Sequence, residues 1–136
     1  MPEYRRHFQP GGTFFFTVVT HQRHPIFITI SARALLGDAF RAAKSRYPFT
    51  VSAICLLPDH LHCIWTLPET ESNNVIRWSY IKSYFTHQFK ENGLLPVSKS
   101  RENRREGSVW QRRFWEHVLY DELDLNGILI TFITIR

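Results

Sequence analysis

Residues 13–20 read Thr-Phe-Phe-Phe-Thr-Val-Val-Thr, every one β-branched or aromatic, directly after Gly11-Gly12. Such side chains lose rotamer freedom in a helix and pack well on a pleated surface, so the run is expected to be a central strand. Partners for it follow in a definite order. Residues 31–47 place Leu35, Leu36, Ala39, Phe40 and Ala43 at helical spacing, with Ser31 as N-cap and Pro48 as the stop. Phe49–Leu57 and Leu61–Leu67 read as two strands joined by a tight turn at Pro58-Asp59. A second helix, capped by Asn73 or Asn74, is expected to run to about Asn92, with Trp78, Ile81, Phe85 and Phe89 as its buried stripe and Gly93 ending it. A polar, basic loop over 94–108 contains Pro96 and Gly107. A fourth strand then falls between Val109 and Leu119, and Asp121 starts a final element. The order β-α-β-β-α-β predicts an α+β, ferredoxin-like fold: an antiparallel sheet with helices on one face.

A chain of 136 residues suits one domain, expected to span 1–136. Its 43% hydrophobic and 15% aromatic content supplies a core and excludes collagen-like and acidic-disordered classes. No apolar run approaches a membrane span, and residues 1–6 lack the apolar stretch of a signal peptide. Cys55 and Cys63 make no disulfide framework, so a reducing, cytoplasmic setting without membrane contact is expected. The formal net charge of +5 leans weakly toward a polyanionic partner. Its distribution says more. Lys99, Arg101, Arg104, Arg105, Arg112 and Arg113 are interleaved with Trp110, Phe114 and Trp115. Arginines beside aromatic rings suit phosphates and unstacked bases, although a solvated loop next to core aromatics has the same composition.

The segment Leu57-Pro58-Asp59-His60-Leu61-His62-Cys63-Ile64-Trp65 carries the chemistry. On a strand, residues two apart share a face, so His60 and His62 project side by side and can give two nitrogen ligands to one divalent metal. Alone, a His-x-His pair is also met by chance on a half-exposed strand. A zinc site built from His60, His62 and His117 is a further possibility, but the sequence supplies no obvious fourth ligand.

Three further strings agree with the histidine segment. They are Glu3-Tyr4-Arg5-Arg6 with residues 11–18, Ile81-Lys82-Ser83-Tyr84-Phe85-Thr86, and Val109-Trp110-Gln111-Arg112-Arg113-Phe114-Trp115-Glu116-His117. Together they closely resemble the REP-associated tyrosine transposases, a branch of the HUH single-tyrosine transposases, from residue 3 to about 126. The resemblance implies a ferredoxin-like domain whose central strand carries the histidine pair, with His60 and His62 holding Mg²⁺ or Mn²⁺. In the family that cation polarises a phosphate of single-stranded DNA. A tyrosine from the last helix then attacks, leaving a 5′-phosphotyrosine and a free 3′-OH. A neutral phenol is a poor nucleophile toward an anionic phosphodiester, which is why the cation is needed. The implied substrates are folded single strands, REP-like palindromic hairpins. Arg5, Arg6, Arg112 and Arg113 would lie on phosphates, and Trp110, Phe114 and Trp115 on splayed bases. The chain is expected to act as a monomer or homodimer.

The resemblance fails over residues 127–136. Where the family continues L-D-Y-I-H-Y-N-P, this chain reads Gly127-Ile128-Leu129-Ile130-Thr131-Phe132-Ile133-Thr134-Ile135-Arg136. The nucleophile position falls at Thr131 and a later metal-ligand position at Ile135. Permitted codons for residues 127–136, read one base earlier, spell H-I-D-Y-I-H-Y-N-P. A single-base frameshift near codons 126–127 is therefore the expected origin of this tail. A native strand is the competing reading, because the run is rich in β-branched residues. Tyr80, Tyr84 and Tyr120 have the wrong spacing to replace the missing tyrosine. The expected function is a hairpin-binding transposase domain impaired in strand cleavage; the alternative is a non-catalytic DNA-binding or regulatory remnant.

Overall fold

The computed structural model describes residues 10–94 and 109–119. Arg5, Arg6, the basic residues Lys99 to Arg105, Tyr120, the element starting at Asp121, and the tail with Thr131 and Ile135 lie outside the described residues. The elements are β1 (Thr13–Val19), α1 (Ile30–Arg46), β2 (Thr50–Leu56), β3 (His60–Thr66), α2 (Asn74–Glu91) and β4 (Trp115–Leu119). They form one four-stranded sheet in the order β2-β3-β1-β4, each neighbouring pair antiparallel. This is the ferredoxin-like arrangement expected from the order of periodicities.

β1 is central because its alternate side chains serve two faces. Phe14, Phe16 and Val18 point toward the helices and stand opposite Trp65, Cys63 and Leu61 of β3. With Leu36, Ala39, Phe40 and Ala43 of α1 and Trp78, Ile81, Phe85 and Phe89 of α2 they make the main core. Trp65 stacks on Trp78 at 4.7 Å between ring centroids, and its indole N–H donates to Asn74 Oδ1 at 2.8 Å. That bond satisfies the one polar atom of a fully buried ring. Both helices cover this face, and the other face of the sheet carries Phe15, Thr17, Val19, His60, His62, Ile64, Trp115 and His117.

One local expectation needs correction. The N-cap of α1 is Thr29, whose Oγ1 accepts from the Ala32 N–H at 3.1 Å; Ser31 lies inside the helix. Two 3₁₀ turns, His21–Arg23 and Ile26–Ile28, occupy the connection before it and set the earlier start. The second helix begins as expected, with Asn73 capping Ile76 N. It ends at Gly93 with φ +68°, where Leu94 N donates to Phe89 O at 3.1 Å and Gly93 N to Lys90 O at 2.9 Å, a left-handed C-cap that glycine adopts without strain. Arg77 departs from the usual rule for its type. It is fully buried, with its guanidinium on Pro48 O, Asn73 O and Glu71 Oε1, so it ties the start of α2 to the end of α1.

Candidate functional site

The turn Pro58-Asp59 is closed by Leu57 N donating to His60 O at 2.9 Å, so β3 starts on His60. The two-residue period then puts His60 and His62 on the face away from the helices, with ring centroids 5.0 Å apart. Each ring is held through Nδ1. His60 Nδ1 donates to Asp59 Oδ1 at 2.7 Å, and His62 Nδ1 shares a hydrogen bond with Thr17 Oγ1 at 2.9 Å across the β1–β3 ladder. Phe15 stacks on His62 at 5.5 Å and limits rotation of that ring. With Nδ1 engaged on both, the nitrogen that would ligate a metal is Nε2 on both.

Electrostatics favour the ligand form. Burial, and then the charge of His60, hold the His62 pKa below its ordinary 6.5, so this imidazole is neutral at neutral pH. Asp59 is held below 3.8 chiefly by its hydrogen bond to His60, with Arg23 adding to it, so it stays a carboxylate that can accept. Cys55 stands directly across from His62 on β2, whereas Cys63 points into the core, where burial pushes its thiol up.

The arrangement fits a divalent cation taking two imidazole nitrogens from this chain and its other ligands elsewhere. Among the described residues no group of three or more His, Cys, Asp or Glu is placed to hold a metal. The closed zinc set with His117 is therefore not assembled: His117 sits in register with Phe15, and its ring stacks flat on Trp115 at 6.0 Å.

The residues expected to meet DNA divide. Trp110 and Phe114 are only 5% and 6% exposed. The first packs on Phe27 and Phe85, the second on Phe16 and Trp78, so these rings build the core and offer no face to a base. Trp115 is 39% exposed on the same sheet face as the histidines. Arg112 and Arg113 are exposed on the approach to β4, where Lys82 Nζ donates to Gln111 O at 3.0 Å and holds the backbone. Residues that sequence reasoning left without a role are Thr17, Asp59 and Arg23. Asp59 could have been found from its place beside His60, but Thr17 is visible only through strand register.

The chain resembles known proteins along most of its length. The family model described as "Transposase IS200 like" matches residues 12–121. A Haemophilus influenzae protein bearing the name REP-associated tyrosine transposase is 41% identical over 125 residues, covering 92% of this chain and 70% of that protein. The REP-associated tyrosine transposase of Escherichia coli K12 is 38% identical over 124 residues, covering 91% of this chain and 66% of its own length. A solved REP-associated tyrosine transposase bound to a REP hairpin superposes with a TM-score of 0.75 at 35% identity, over 94% of this chain and 68% of that one. A transposase structure from Deinococcus radiodurans R1, at 15% identity, shares the fold with a TM-score of 0.56 over 90% of this chain and 88% of that one. The chain thus belongs to the IS200-like transposase family, in its REP-associated tyrosine transposase branch.

Proposed function

We propose that residues 1–136 act as a single HUH-type domain that binds a folded single strand of DNA, a REP-like hairpin, with a divalent cation held by His60 and His62. The observation carrying this reading is the histidine pair itself: two rings on one sheet face, both steadied through Nδ1, beside the exposed Trp115. The REP hairpin on the solved relative supports the choice of DNA. Mn²⁺ or Mg²⁺ is the proposed cation; imidazole ligands suit Mn²⁺ better than Mg²⁺, which prefers oxygen. When bound, it neutralises phosphate charge and polarises the phosphorus toward attack. The chain's own part is positional. Thr17 and Asp59 orient the rings, Arg112 and Arg113 meet phosphates, and Trp115 offers a stacking surface.

The family reaction forms a 5′-phosphotyrosine, and Thr131 occupies the tyrosine's place in this sequence. A threonine hydroxyl lacks the acidity of a phenol, so strand cleavage is impaired and hairpin binding is retained. That same residue favours the second reading, a non-catalytic DNA-binding or regulatory protein. Incubating the chain with end-labelled REP hairpin and Mn²⁺ separates them. Shifted but uncleaved DNA is expected. A covalent adduct on a denaturing gel overturns the claim of impairment, and no shift at low salt overturns hairpin binding. A variant carrying H-I-D-Y-I-H-Y-N-P in place of residues 128–136 is expected to form the adduct.

A further inference from the structure

Gln22 and Arg23 are consecutive, neither is glycine, and both lie in the left-handed region, at φ 53° and 54°. Such conformations cost energy for residues with a Cβ and persist where the surroundings over-determine them. The surroundings here are the Pro58-Asp59 turn. Thr20, fully buried, donates from both N and Oγ1 to Asp59 O, each at 3.0 Å, and Phe27 N donates to Pro58 O at 3.0 Å. Thr20 Oγ1 also lies 2.8 Å from His24 O, and Arg23 N donates to Thr20 O at 3.1 Å. The excursion from residue 20 to 27 is thus fastened to the turn that launches the histidine strand.

What the bent backbone delivers is Arg23. Its Nε donates to Asp59 Oδ2 at 3.0 Å, while Asp59 Oδ1 accepts a hydrogen bond from His60 Nδ1–H at 2.7 Å. The two carboxylate oxygens are therefore divided between guanidinium and imidazole, and rotating the carboxylate breaks both bonds. A half-exposed ion pair adds little stability, so stability alone does not account for two strained residues spent on reaching it. We propose that Arg23 is a positioning residue for the metal pair, fixing through Asp59 the ring plane and Nδ1–H tautomer of His60. The inference rests on the metal reading above, and extends it to residues that touch no metal.

The test uses the full chain and its Asp59→Asn, Arg23→Met and Arg23→Lys variants. Mn²⁺ affinity is measured by calorimetry. The His60 ring tautomer is read from long-range ¹H–¹⁵N spectra of the metal-free protein, with melting temperature as the folding control. Asp59→Asn is expected to weaken Mn²⁺ binding about 10- to 100-fold, as loss of a ligand's hydrogen-bond partner does. Arg23→Met is expected to weaken it roughly two- to five-fold, the scale of an exposed charge pair. Both should move His60 away from a uniform Nδ1–H form, and Arg23→Lys should restore part of each effect. If Arg23→Met changes only the melting temperature, leaving tautomer and Mn²⁺ affinity as in the parent, Arg23 is merely structural and the proposal is overturned. If the parent itself binds no Mn²⁺, the metal reading falls, while the ring spectra still decide whether Arg23 governs His60.

Discussion

Replacing Thr17 with Val isolates the second of the two ring-holding bonds. Thr17 stands opposite His62 in the β1–β3 register, and its Oγ1 lies 2.9 Å from His62 Nδ1. With a cation on Nε2, Nδ1 carries the proton and Thr17 accepts it. Valine has nearly the same shape and keeps the β-branch that suits the strand, so the sheet should stay intact. The loss is one hydrogen bond at a half-buried site, about 0.5–1.5 kcal/mol. Because roughly 1.4 kcal/mol is tenfold in binding, Mn²⁺ affinity should fall by a few-fold to about tenfold, toward the low end of the effect of removing a ligand's outer partner. Stability should fall by no more than about 1.5 kcal/mol, a melting shift of at most roughly 4–7 °C for a domain of this size. Calorimetric titration with Mn²⁺ and a melting curve on the same samples give both numbers. Thr17→Ser, which keeps the hydroxyl, should bind as the parent does. Parent-like Mn²⁺ affinity in Thr17→Val, or equal loss in Thr17→Ser, would refute the assignment of Thr17 to His62.

Changing His60 and His62 together to Ala should abolish Mn²⁺ binding and leave most of the salt-dependent hairpin affinity, which phosphate contacts dominate; equal loss of both in a gel-shift titration contradicts that division. Trp115→Ala should weaken hairpin binding by about 1–3 kcal/mol with little change in melting temperature, the value of one stacked base. Trp110→Ala should instead destabilise the fold by roughly 3–5 kcal/mol, because its ring lies in the core; comparing melting curves with gel shifts for the two variants checks the contrast. The lowered His62 pKa means that the unfolded chain takes up a proton near 6.5 while the folded chain does not, so stability rises with pH there and is lost as pH drops below 6.5. Asp59, also lowered, contributes stability above 3.8 that is lost on further acidification. A His62→Gln variant should flatten the first step of a melting-temperature profile against pH and leave the second in place.

Legibility followed periodicity. β1, the β2–β3 hairpin and the stripe of α2 were readable because their residues alternate or recur as the elements demand, and the shared face of His60 and His62 follows from the two-residue period alone. β4 was not readable in the same way. It turns Glu116 toward the helices and Trp115 away, the reverse of what polarity suggests, because pairing with Phe16 and Thr17 fixes its faces. The burial of Arg77 was not legible in sequence, because the carbonyls that satisfy it, Pro48 and Asn73, come from chain geometry. The basic-aromatic cluster blurred for a similar reason: composition places Trp110, Phe114 and Trp115 together, but only packing separates two core rings from an accessible one.

The position of β3 between β2 and β1 governs how the site can fail. A strand laddered on both edges cannot peel away alone, so its amides exchange with solvent chiefly when the whole domain opens. His62, in the body of that strand, should keep its place at any denaturant concentration short of the global transition. His60, at its first residue, lies beside the turn and depends on the anchorage from Thr20 and Phe27. Hydrogen exchange should therefore grade the two histidines of the proposed metal pair, protection being deepest at His62 and thinner toward the turn.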